Sequence, residues 1–244
     1  GELEEGEEEE EAMESSSSSS SSSSSIPPVA KQMRIIGPAS LGKIKPDVLR
    51  LLMKYVLVND LKNILFVNKF LKGIVRSYLA QLLKESSFTI PGDFSNLNQA
   101  WEMLKVLLKL PDYDPKKKVT LKLGKGVHEV VGTWSSYQQT LVVPCNNLSI
   151  VGKGRGETTI HGSFVTENGM SSSVTDLTMK NSRGRGLYAS GEGTKMEISR
   201  VTIEECTGTG VSVYSGAKLV AKDCHFCQNG LYGVFVTGST TTAR

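Results

Sequence analysis

Apolar positions in the last third of the chain recur with a period. Leu177, Val201 and Cys224 stand 24 and 23 residues apart, and the sets Met179/Ile203/Phe226, Gly186/Gly210/Gly233, Leu187/Val211/Val234 and Ala189/Val213/Val236 repeat the same two steps. Within each unit two short runs, such as Val201-Thr-Ile203 and Val211-Ser-Val213, put apolar residues at i and i+2. That is strand spacing, because successive side chains of a strand point to opposite faces. A helical repeat of this length needs apolar residues at i, i+3 and i+4 and does not tolerate so many Gly, Ser and Thr. The pattern predicts parallel strands stacked coil on coil, with Leu177/Val201/Cys224 and Leu187/Val211/Val234 as inward columns. Gly186, Gly210 and Gly233 suit a tight corner, where positive φ or a close backbone approach excludes a Cβ. Earlier coils are expected at Val119–Leu123 and at residues 148–152 and 159–162, so the solenoid is expected to cover residues 118–244.

Nearer the N-terminus the spacing becomes helical. Val48, Leu49, Leu52, Met53 and Val56 form one broad face of an amphipathic helix opening at Pro46-Asp47. Asn59-Asp60 supplies a stop and a new N-cap. Leu61, Ile64, Leu65, Asn68 and Leu71 predict a second helix, and Ile74, Tyr78, Leu79 and Leu82 a third, so residues 43–86 read as a small three-helix module. A further helix is predicted over 94–110, with Leu97, Ala100, Trp101, Leu104, Leu107 and Leu108 on one face and Pro111 ending it. Its position before the first coil suits a cap on the solenoid's open end; packing on the three-helix module is the alternative.

Charge changes the picture at the N-terminus. Nine of the 25 acidic residues lie within residues 2–14, leaving 16 against all 28 basic residues, an excess of 12 positive charges on the rest of the chain. Eleven serines, Ser15 to Ser25, follow the acidic block. Residues 1–30 have almost nothing apolar to bury and are expected to be disordered, either as a solvated linker or as a target of acidophilic kinases. The basic remainder favours acidic partners without naming one. Gly1 in place of Met, and Arg244 falling in mid-pattern, suggest truncation at both ends. Four cysteines make no disulfide framework, no export segment precedes them and no apolar run approaches membrane-helix length. An intracellular protein, cytoplasmic or nuclear, with no membrane partner is expected.

Candidate chemistry is sparse. Between Val119 and Arg244 the only aspartates are Asp176 and Asp223, in nearly one column with Arg200 between them, which reads as surface charge pairing rather than catalysis. Glu204 and Glu205 are neighbours in a strand and are expected to point to opposite faces. Cys224-His-Phe-Cys227 has half of a zinc spacing and no second pair, so Cys224 reads as a buried core residue. Cys206 aligns with Ser182 and Asn229 at a corner, and His128 and His161 stand alone. Residues 152–156, Gly-Lys-Gly-Arg-Gly, lack the ending of a phosphate loop, though with Arg183 and Arg185 they suggest a basic strip along one edge. Aromatic residues are few in the coils, chiefly Trp134, Tyr137, Tyr188, Tyr214 and Tyr232. Tyr188 and Tyr214 are 26 apart, two beyond the repeat, and are not expected to form one ladder. No catalytic residue, cofactor or metal is assigned, and a nucleic-acid partner is not expected.

Two resemblances organise these readings. Residues 46–75, PDVLRLLMKYVLVNDLKNILFVNKFLKGIV, resemble an F-box, with Asn68 where that family commonly has Cys and Phe70-Leu71 replacing a basic residue and an aromatic. The phrases LSIVGKGRGETTIHG and VTIEECTGTGVSVYSG resemble the right-handed parallel β-helix shared by pectin-degrading enzymes and many noncatalytic proteins. Together they imply a mainly β chain, a β-helix preceded by a small α-helical module. They further imply a substrate-recognition subunit of a cullin-RING ubiquitin ligase, not an enzyme. The resemblance implies that Pro46, Leu49, Leu61 and Val67 dock the ligase adaptor and that the β-helix holds an unknown protein client. A carbohydrate-binding or carbohydrate-processing β-helix is the alternative, and a purely structural piece the third.

Overall fold

Alternation becomes coils through a slip of one residue. In the strand Ser171–Lys180, Ser172 and Val174 are buried, and then Leu177 and Met179, so the inward parity changes between Val174 and Leu177. Asp176 absorbs that slip in a left-handed conformation, φ 58°, and the chain turns there. Arg200 (φ 53°) does the same inside Lys195–Glu204, and Asp223 (φ 53°) does so between Lys218–Lys222 and His225–Cys227. A second line of left-handed residues, Asn181, Glu205 and Gln228, turns each coil again. The computed structural model from which these features are read describes residues 69–238 and 242–243. Pro46, Leu49, Leu61 and Val67, the first expected helix and the acidic and serine-rich segment lie outside the described residues.

Every pairing between coils is parallel, in one sheet of ten strands and one of five. The ten-stranded sheet is folded along the line of Asp176 and Arg200, so the coils present three faces. The first contains Ser87–Ile90, Val119–Leu123, Leu148–Val151 and the opening halves of the two long strands, then Lys218–Lys222 and Thr242–Ala243. The second runs through Gly126–Glu129, Thr158–His161, the closing halves of the long strands and His225–Cys227. The third stacks Thr140–Val142, Ser163–Thr166, Leu187–Ser190, Val211–Tyr214 and Val234–Val236.

Inside, like stacks on like. Leu177 pairs with Val201, and Leu187 with Phe164 and Val211, all within 1 % of full burial. The third members of both expected columns differ: Cys224 is half-buried and Val234 is exposed. Among the described residues only Thr242–Ala243 stacks beyond that coil, against Lys218 and Leu219. Gly186, Gly210 and Gly233 lack positive φ; crowding excludes their side chains. A Cβ on Gly210 would lie 2.6 Å from the Gly233 carbonyl oxygen, and one on Gly186 2.8 Å from that of Gly210.

The sheet begins earlier than residue 118. Ser87–Ile90 pairs with Val119–Leu123 and places Phe88 beside Leu121 and Ile90 beside Leu123. The helix Leu97–Leu107 (α2; α1 is Lys69–Lys84) lies between these two strands in sequence. Its N-cap is Asn96, whose side chain accepts from the Gln99 amide. Its side chains reach all three faces. The Trp101 indole donates to Val142 O at 2.7 Å and stacks on Phe164 at 5.4 Å, Asn98 bridges Glu129 O and Val131 N, and Leu104 and Leu107 share a small cavity with Phe88 and Val119. That placement covers the end of the stack with apolar surface. α1 is continuous, so Leu71 and Ile74, expected in separate helices, belong to one; among its residues whose burial is described, Tyr78, Leu79 and Leu82 are buried.

Candidate functional site

Outward side chains of the third face form a continuous aromatic strip. Register places Tyr188 opposite Ser212, and Ser212 opposite Phe235, so Tyr188 and Phe235 share one column two coils apart. Tyr214 stands two residues beyond Ser212 and leans over that small side chain, which is fully buried. Ring centroids are 5.4 Å apart for Tyr188 and Tyr214, and 5.7 Å for Tyr214 and Phe235. Tyr232 continues the strip against Phe235 at 5.5 Å. The expectation that Tyr188 and Tyr214 would not form one ladder is therefore corrected. Diagonal neighbours on adjacent strands lie within reach of aromatic side chains even when they are not equivalent by repeat.

At its other end the strip is built by an excursion from the solenoid. Thr133–Trp134 and Tyr137–Gln138 pair antiparallel as a short hairpin. Trp134 lies 4.8 Å from Tyr188, and Tyr137 packs so closely on Gly184 that a Cβ there would meet its ring at 2.5 Å. Arg183 donates to Gln138 Oε1 at 2.6 Å and fixes the hairpin to the same turn. Between hairpin and coils sits Arg185, its guanidinium 5.1 Å from the Tyr137 and Tyr188 ring centres and 5.4 Å from that of Tyr214. It also donates to the Tyr214 hydroxyl at 3.4 Å. Among the described residues no carboxylate pairs with Arg185, so the strip carries an uncompensated positive charge held by ring quadrupoles.

Residues 138–244 match the family model described as the right handed beta helix region. This part of the chain is a right-handed β-helix. No curated protein and no solved structure matches the chain.

The other candidate residues of the β-helix resolve into pairs. Arg200 grips Asp176 through two bonds, Nε to Oδ1 at 2.5 Å and Nη2 to Oδ2 at 2.7 Å, as the charge-pairing reading expects. This guanidinium holds the Asp176 carboxyl below the ordinary carboxylate range. Arg155 and Asp223 line the same open cleft. Glu204 and Glu205 do not diverge as expected: both reach the Lys180 ammonium, at 3.4 and 2.8 Å, because the left-handed Glu205 breaks the pleat. His161 is not alone, since its Nδ1 lies 2.8 Å from Glu129 Oε1. His128 is a core residue with Nε2 3.1 Å from Gly124 O.

Cys224 and Cys227 do not converge, their sulfurs facing Lys222 O and Glu204 Oε2 respectively. No group of three or more potential metal ligands occurs among the described residues. Cys206 is buried, which pushes its thiol up to about 11, and its amide is bonded by Asn229 Oδ1. The expected basic strip does not assemble. Arg155 lines the cleft at the Asp176 corner, whereas Arg183 and Arg185 face the hairpin at the next.

Proposed function

We propose that the chain is a binding protein whose β-helix holds a protein client along its third face, while residues 46–75 dock the adaptor of a cullin-RING ubiquitin ligase. The observation that carries the client-binding part is the aromatic strip with Arg185 among its rings, a guanidinium that pairs with no carboxylate among the described residues. Tryptophan, tyrosine and arginine are the residues that dominate protein-binding energetics, and the rings present large area with little entropy to lose. Carboxylates of the coils are held in ion pairs, which supports binding rather than turnover. Asp176 is committed to Arg200, and its lowered pKa runs opposite to what a general acid near neutral pH needs. Glu204 and Glu205 are both committed to Lys180.

The adaptor-docking part rests on the F-box resemblance of residues 46–75. Its test is capture of purified ligase adaptor by the full chain, with Leu61→Glu and Val67→Glu as the comparison. Capture that the two substitutions abolish is the expected result; no capture by the unaltered chain overturns the ligase reading. The strip also favours a second reading, carbohydrate binding, since aromatic rings are platforms for sugars. A glycan array probed with the full chain and with Tyr214→Ala separates the two, a sugar ligand lost in the variant favouring the second.

A further inference from the structure

Resting on the reading that the third face holds a client, we infer that the strip binds a proline-rich peptide bearing acidic residues, laid along the β-helix axis in the polyproline II conformation. Pitch is the first argument. Strands lie about 4.8 Å apart in a sheet, so Tyr188 and Phe235, two coils apart in one column, repeat at about 9.6 Å. A polyproline II chain rises about 3.1 Å per residue with three residues per turn, about 9.3 Å. Every third residue of such a peptide therefore meets an equivalent position on the strip.

Ring arrangement is the second. Successive rings from Trp134 through Tyr188 and Tyr214 to Phe235 meet at 45°, 33° and 48°, with centroids 4.8 to 5.7 Å apart. Neighbouring rings are therefore in contact, each covering part of the next one's face, and the strip presents a ridged surface of tilted rings. A pyranose stacks its apolar C–H face on an open aromatic face, whereas pyrrolidine rings also pack against tilted aromatic side chains, and a preformed polyproline II helix loses little entropy on docking. Tyr214 accepts a hydrogen bond from Arg185, which leaves the hydroxyl's own proton for a peptide carbonyl.

Charge is the third. Arg185 lacks a carboxylate among the described residues, and Arg183 bonds the neutral Gln138. The outward residues between them and the far end of the strip, Tyr188, Ser190, Ser212, Tyr214 and Phe235, are uncharged. One acidic side chain on the peptide complements this arrangement. A nucleic acid needs a track of cations along its phosphates, which this face does not provide.

The test is fluorescence anisotropy with the full chain and a labelled repeating Pro-Pro-Glu peptide about 12 residues long, roughly 37 Å in this conformation. Repeating Pro-Pro-Lys and Gly-Ser-Glu peptides of equal length isolate charge and conformation. The expected result is binding of Pro-Pro-Glu at least about tenfold tighter than either control. Arg185→Gln abolishes the preference for Glu over Lys, and Tyr214→Ala weakens binding about tenfold while Tyr214→Phe keeps most of it. Thermal melting by circular dichroism verifies folding. Should Tyr214→Ala not fold, Tyr232→Ala, at an exposed end of the strip, replaces it. Absence of Pro-Pro-Glu binding, equal binding of the Lys peptide, or indifference to Arg185→Gln overturns the inference. Binding of cello-oligosaccharide in place of the peptide also overturns it. Adaptor capture scored on the same preparation is independent: its loss with peptide binding intact overturns only the ligase reading.

Discussion

Asp176 and Arg200 hold one corner of successive coils in left-handed conformations, and their pairing makes that corner sensitive to acid. Because the folded pKa of Asp176 is lowered from the ordinary value of about 3.9, its contribution to stability is complete above that value. It is lost as pH falls through the lower, folded value. Melting temperatures measured from about pH 6 down to about pH 2 should fall in the acid range, and Asp176→Asn should flatten that part of the curve. The effect is small, since the guanidinium is half-exposed and solvent screens the pair. An unchanged profile in the variant would mean that the pairing does not contribute. The column of Asp, Arg and Asp is legible from residue spacing alone. That these residues are the left-handed corners is not, because Arg, Glu and Gln occupy such positions here beside the Asp and Asn that favour them.

Stacked columns and crowded corners set the stability of each coil. Leu187→Ala empties a fully buried position between Phe164 and Val211 and should cost about 2–5 kcal/mol in chemical denaturation. Gly210→Ala forces a methyl group against the next coil's carbonyl and should cost about 1–3 kcal/mol, although the residue has no positive φ. A neutral Gly210→Ala would contradict the crowding account. At this scale the period of 24 and 23 residues made strands, inward columns and glycine corners readable, because repetition averages out local ambiguity. Ser87–Ile90 was unreadable for the opposite reason. Its four residues carry only Phe88 and Ile90 as an alternating pair, and its partner strand lies beyond an intervening helix. The face of the helix Leu97–Leu107 was clear from Leu97, Ala100, Trp101, Leu104 and Leu107. That it touches all three faces of the solenoid depends on polar contacts of Asn98 and on the Trp101 indole, which spacing does not encode.

Across the whole molecule, the proposed client binding depends on which flank of the solenoid carries the rings, and here sequence and structure diverge most. The rings of the strip come from a hairpin, from two different outward columns and from a turn, so of their positions only Tyr188 and Phe235 share the period. Two facts join them: the diagonal reach of Tyr214 across buried Ser212, and a hairpin that folds back onto the turn at Gly184. Neither is visible without the register. The tyrosines themselves offer the most direct test, because Tyr137, Tyr188, Tyr214 and Tyr232 belong to the strip whereas Tyr78 is buried in α1 and Tyr113 lies beside α2. With tyrosine rings isotopically labelled in the full chain, NMR spectra recorded on adding the Pro-Pro-Glu peptide should show Tyr188, Tyr214 and Tyr232 shifting while Tyr78 and Tyr113 stay fixed. Shifts at Tyr78 or Tyr113 with the strip unmoved, or no shift at any tyrosine, would contradict the assignment of the third face as the binding surface.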